Sequence, residues 1–138
     1  MGNSERIVKH LEMTQAIIDR MGRNSFQLKG WSMTIIVAAT ILIARTSLPS
    51  PFFILALIVP IIVFWILDGY FLWQERLFRG IYNDVRIQID TDFKMNLKEQ
   101  KKKPNGRWRN ATWSRTLRIF YIGESVFIFF VFGISFFC

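Results

Sequence analysis

The run Thr46–Leu67, TSLPSPFFILALIVPIIVFWIL, contains 22 residues without a charge. A helix needs about 20 apolar residues to cross a hydrocarbon core ~30 Å thick, and it is favoured there because it satisfies its backbone polar groups internally. The residues that follow, Asp68–Arg86, keep helical spacing but become polar on one side. This predicts one helix over Pro51–Asp84 that leaves the membrane as a stalk, about 50 Å long at its helical rise. Two further blocks, Trp31–Ala44 and Ser125–Cys138, are also free of charge. Soluble domains spread apolar residues at periods of 2 or 3.6 rather than gathering them in blocks, so a three-span membrane protein is expected.

The expected fold is mainly α, with three transmembrane helices, an N-terminal amphipathic helix and a small β-containing cap. The expected divisions are 1–30 (amphipathic helix), 31–84 (transmembrane hairpin with stalk), 85–118 (basic strand and loop segment) and 119–138 (third span). Net charge is +8, and its placement orients the chain. Of 18 Lys and Arg, five precede Trp31, Arg45 stands alone between the first two blocks, and twelve lie between Gln74 and Arg118. The positive-inside rule puts residues 1–30 and 74–118 in the cytoplasm and the C-terminus outside. The first 30 residues are charged and amphipathic, which does not suit a cleavable signal peptide. A membrane with residues 1–30 and 74–118 on its cytoplasmic side is the expected location.

Within 4–21, Ile7, Leu11, Ile18 and Met21 share a helical face, Ser4 suits an N-cap, and Gly22 suits the residue past the end. Such a helix either lies in the membrane interface or packs against the stalk; its narrow stripe, without Trp, favours packing. His10 has no partner motif and reads as a solvated helix residue. Arg45 is expected to snorkel outward, and Pro49 and Pro51 fit the turn between two antiparallel spans. Pro60, inside the second span, is either a hinge or an ordinary membrane-helix proline.

From Val85 to Lys98 apolar and polar residues alternate through seven pairs, which is strand periodicity. A strand needs a partner, and two are available: Arg107–Trp113, reached through the turn signal Pro104-Asn105-Gly106, or the same strand of a second copy.

Two groups of residues carry candidate chemistry. The segment KKKPNGRWRNATWSRTLR interleaves basic residues with tryptophan. Lys101, Lys102, Lys103, Arg107 and Arg109 could hold phosphates while Trp108 or Trp113 stacks a base, or the same residues could meet anionic lipid. Asp68 and Glu124 are the acidic interruptions of the second and third spans, at matching depth. They could form acidic rings at a pore mouth in an oligomer, or pair inside one subunit with Arg115, Arg118 or a hydroxyl. Thr34, Thr40, Ser125 and Ser135 add polarity that a passive anchor does not need, although they also serve helix packing. The single Cys138 and single His10 exclude a disulfide framework and a Cys/His metal site. No nucleophile–base pattern, phosphate-cradling loop or dinucleotide fingerprint is present, so neither an enzyme nor a cofactor is expected.

Arg20-Met21, Asn24-Ser25-Phe26, Leu28-Lys29-Gly30-Trp31, Phe64–Tyr70, Gln74–Arg79 and Tyr82 together resemble a group of small bacterial inner-membrane proteins, the transmembrane effectors of anti-phage defence. The resemblance covers roughly residues 5–86. Likeness to the Hailong-type component implies a multimeric channel held shut by an oligodeoxyadenylate that a partner nucleotidyltransferase makes. Effectors gated by a cyclic nucleotide fit the same pattern. The expected function is therefore an oligomeric, ligand-gated pore, with a lipid-binding anchor for a cytosolic partner as the alternative.

Overall fold

The structure, a computed structural model, describes residues 2–44 and 51–137. Arg45, the connection through Ser50, and Cys138 lie outside the described residues, as does the side chain of Ser135. Five α-helices follow in order: α1 (Asn3–Ala44), α2 (Pro51–Val85), α3 (Leu97–Lys102), α4 (Trp108–Thr112) and α5 (Arg115–Phe137), with a 3-10 turn at Pro104–Gly106 between α3 and α4.

Helices α1, α2 and α5 are each long and apolar enough to cross a membrane. Helix α1 runs antiparallel to α2: its first turns reach the chain just beyond α2, and Ser25 and Lys29 reach Asp68. Helix α5 packs in the groove between them. Ile36, Leu57, Ile61, Leu117, Tyr121, Ile128 and Phe132 are buried at the shared seam, with Phe64, Trp65, Leu72 and Phe120 packed around them. The outer faces are apolar and exposed, among them Ile41, Leu42, Leu55, Val59, Ile66, Ile122, Val126 and Phe130. Surface of that kind is stable against lipid, not water.

The second span and stalk form one helix, as expected, with Pro60 inside it. The first span differs. No separate amphipathic helix ends at Gly22; α1 is continuous over 42 residues. Its inner face recurs at His10, Thr14, Ile18, Ser25, Leu28, Ser32, Ile36 and Thr40, all buried. This one stripe packs along α2 from the stalk into the membrane, so tertiary packing overrides the local stop signal. Gly22 faces Glu75 of α2. The helix thus packs against its own stalk rather than lying along an interface.

The β-containing cap is not found: no strand occurs among the described residues. Helix α2 runs through Val85, and 91–96 is a strap of irregular chain laid over the start of α1. From Thr91 on the alternation is nonetheless reflected in burial, whereas Ile87 and Ile89 are exposed. Thr91 is buried, Phe93, Met95 and Leu97 are half-buried, and Asp92, Lys94 and Asn96 are exposed. Over 91–97 every second residue is covered, and here a helix rather than a strand partner covers the middle of it. The expected partner strand, Arg107–Trp113, is largely α4.

The strap is held at α1. Arg6 donates to the Thr91 carbonyl at 2.7 Å and pairs with Asp90 at 3.0 Å. His10 Nδ1 lies 2.7 Å from Thr91 Oγ1 and its ring packs on Phe93, which has a positive φ of 57°. His10 is 1% exposed, contrary to the solvated position expected for it. Outside the strap's covered side, the Lys94 ammonium on Asp92 holds that carboxyl below the usual carboxylate range.

Candidate functional site: a buried ion pair beneath a basic cap

Three side chains from two helices, α1 and α5, meet Asp68 of α2. Lys29 Nζ donates to Asp68 Oδ2 at 2.5 Å, Ser25 donates to Oδ1, and the Tyr121 hydroxyl donates to Oδ2 at 3.2 Å. Lys29 also donates to Ser25 Oγ at 2.9 Å. Asp68 is wholly buried, while the Lys29 side chain retains 18% exposure. A carboxylate out of water is costly unless its charge and lone pairs are met, and here a cation and two hydroxyls meet them. Trp65 stacks on Tyr121 at 6.1 Å between ring centroids and walls the cluster off.

One turn further along α5, Glu124 is 2% exposed and accepts from Ser32 at 2.8 Å. Among the described residues its second oxygen, Oε1, has no hydrogen-bond partner. Neither Arg115 nor Arg118 pairs with Asp68 or Glu124; both are exposed, and the cation comes from α1 instead. Both carboxylates expected at a pore mouth therefore face the interior of a single chain. Ser25, Lys29 and Ser32 stand four and then three residues apart, so they share one helix face. That spacing was the available sequence signal for them.

The cap sits on one stripe of α2. Trp65, Gly69, Trp73, Arg76, Gly80 and Asp84 recur every three or four residues. Trp65 Nε1 donates to the Thr112 carbonyl at 2.9 Å, Trp73 Nε1 to Gly106 at 2.8 Å, and Arg76 Nη1 to Asn110 at 3.0 Å. Between these donors the two glycines let the backbone approach. A Cβ at Gly69 would stand 2.6 Å from Thr112 Oγ1, and one at Gly80 would overlap the Gln100 side chain.

Lys101, Lys102, Lys103, Arg107, Trp108, Arg109 and Trp113 do not converge on one point. Lys101 Nζ lies 5.0 Å over the Trp73 ring, Lys102 is exposed, and Lys103 pairs with Asp84 at 2.9 Å. Lys103 thereby lines a cleft of about 720 Å³ with Arg76, Arg79, Asn83 and Gln100. Arg107, Arg109 and Trp113 line a second, smaller cleft of about 380 Å³ with Asn110. Trp108 is 39% exposed and lines neither cleft. The two clefts adjoin where Arg76, from the first, donates to the carbonyl of Asn110, from the second. Arg76 and Arg79 are cleft residues that the basic run of the sequence does not indicate, because α2 supplies them from a distance. Trp113 meets Trp65 edge-on at 5.5 Å, which ties the smaller cleft to the span end of the cap.

Among the described residues no group of three or more His, Cys, Asp or Glu is arranged to hold a metal ion. Thr40 and Ser125 donate to carbonyls one turn back in their own helices, as does Thr34. Comparisons with protein-family models, with curated proteins and with solved structures find no match.

Proposed function

We propose that this chain is an oligomeric membrane channel effector, gated at its basic cap by an anionic nucleotide or oligonucleotide. The observation that carries the proposal is the buried polar seam, Ser25–Lys29–Asp68–Tyr121 with Ser32–Glu124, inside spans that are otherwise apolar. A passive anchor gains nothing from ionisable groups in its membrane core, and they are costly to keep there. Tyr121, Ile36 and Leu117 are buried beside these polar groups; in this reading the arrangement is the closed one, and several copies together open a path. The broad apolar faces of α1, α2 and α5 leave room for such copies.

A ligand on the cap shifts this equilibrium only by binding one arrangement more tightly. The stripe Trp65–Asp84 supplies the linkage, because the residues that seat the cap share a helix with Asp68. In this reading the channel sits in the bacterial inner membrane with the cap on the cytoplasmic side, which the excess of Lys and Arg in residues 1–30 and 74–118 supports, and depolarisation is the outcome.

The test is membrane potential, read with a voltage-sensitive dye in bacteria expressing the chain alone and beside its genomic neighbour. Depolarisation that Asp68→Asn with Glu124→Gln alters in size or ion preference is the expected result. Replacing Lys101, Lys102 and Lys103 with Glu is expected to abolish binding of short anionic oligonucleotides. One observation favours a second reading, a non-conducting anchor that holds a cytosolic partner and anionic lipid: Asp68 is fully satisfied within one chain. No depolarisation in any combination, with a soluble partner co-purifying in mild detergent, would establish the anchor.

A further inference from the structure

The larger cleft lies between α2 and the α3 turn, well along the stalk. Gly80, in its wall, stands about 22 Å of helix beyond Trp65, at ~1.5 Å for each of the intervening residues. Its volume, about 720 Å³, falls in the range typical of small-molecule sites, ~300–1,000 Å³. Its charged lining is three cations, Arg76, Arg79 and Lys103, against one carboxylate, Asp84.

The carboxylate is placed where a bound anion would be. Asp84 accepts from Lys103 Nζ at 3.0 and 2.9 Å and from Gln100 Nε2 at 2.5 Å, so both cleft-facing donors of the α3 segment end on it. Arg79 spends Nε and Nη2 on Glu75, and Arg76 spends Nη1 on the Asn110 carbonyl. Both arginines line the cleft, and each guanidinium has more N–H donors than these contacts use. Guanidinium and ammonium donors converging on one volume suit the several oxygens of a phosphate group.

We propose that this cleft binds a soluble phosphorylated anion, with Arg76, Arg79, Gln100 and Lys103 as its donors and Asp84 as the internal occupant it displaces. Displacement frees Lys103 and Gln100 from α2 and passes them to the ligand, loosening α3 from the stalk. This rests on the reading that an anion acts at the basic cap, and not on whether the spans conduct.

The test uses the full chain in nanodiscs of phosphatidylcholine, titrated calorimetrically with sodium pyrophosphate at constant ionic strength. The expected result is saturable binding, weakened at least about tenfold by Arg79→Glu and tightened about three- to tenfold by Asp84→Asn, the size of one short-range charge contact. The Arg79 side chain is 63% exposed, so its replacement leaves folding intact, and circular dichroism checks that. Asp84→Asn separates a displaced occupant from a merely structural acid, whose loss would weaken binding or leave it unchanged. No saturable binding, binding indifferent to Arg79→Glu, or binding not tightened by Asp84→Asn overturns the proposal. Arg79-dependent association seen only with phosphatidylglycerol in the nanodisc also overturns it and gives the cleft to a lipid headgroup. Absent conductance with pyrophosphate binding intact would remove the channel and leave the cleft standing.

Discussion

Lys29 Nζ and Asp68 Oδ2 stand 2.5 Å apart across α1 and α2, and neither has another residue of opposite charge within ion-pairing distance among the described residues. Their other hydrogen-bond partners are the hydroxyls of Ser25 and Tyr121, so each charge depends on the other.

Removing one member therefore costs more than removing both. Lys29→Met leaves Asp68 uncompensated and is expected to destabilise the protein by about 3–5 kcal/mol, whereas Lys29→Met with Asp68→Leu recovers most of that loss. Thermal unfolding in detergent, followed by circular dichroism, measures both. Equal losses for the single and double variants would show that the pair does not hold α1 to α2.

Ser32 and Glu124 follow the same rule with a weaker contact. Ser32→Ala removes the one hydrogen bond that Glu124 accepts, and is expected to cost about 1–3 kcal/mol, while Ser32→Ala with Glu124→Met is close to neutral. The same unfolding measurement applies, and an unaffected Ser32→Ala would mean that Glu124 is satisfied in some other way.

Gly69 is a packing position. Its Cβ would meet Thr112 Oγ1 at 2.6 Å and the Thr112 backbone Cα at 3.1 Å. Gly69→Ala is expected to destabilise by about 1–3 kcal/mol through overpacking. Adding Thr112→Ala should restore part of this, because it removes the hydroxyl but not the backbone contact.

The strap can be read by proteolysis. Thr91→Val deletes the partner of His10 Nδ1 and the acceptor of the Phe93 amide, at a net cost of about 1 kcal/mol. Lys94 is exposed on the strap, and trypsin is expected to cut there several-fold faster in the variant. An unchanged rate would place the strap's anchorage in Arg6 instead.

The three spans are legible from charge-free length alone, because a hydrocarbon solvent imposes one requirement on every residue it touches. The continuous α1 is less legible. Gly22 and Asn24-Ser25 carry genuine local stop signals, and only the stripe from His10 to Thr40, packed against the separate helix α2, overrules them. The strand over 85–98 fails for a related reason: alternation reports a covered side, and Thr91 and Phe93 obtain theirs from a helix. The acidic residues of the candidate site stand out as interruptions of apolar runs, but their partners do not. Lys29 is one of five basic residues ahead of Trp31, and nothing singles it out as a partner until the fold sets it against Asp68. The basic residues of the cap are likewise plain in sequence, whereas their division between two clefts depends on Arg76 and Arg79 from the stalk.

Because α1 has no break, it behaves as a lever. Its fulcrum is the contact of Lys29 and Ser25 with Asp68. From there the arm toward His10 is about 28 Å long and the arm toward Thr40 about 16 Å, at the usual helical rise. The strap grips the long arm at Arg6 and His10, where a small force has the greater leverage. A tilt begun there arrives at the far end of the first span reversed in direction and reduced in amplitude, with no hinge in between to absorb it.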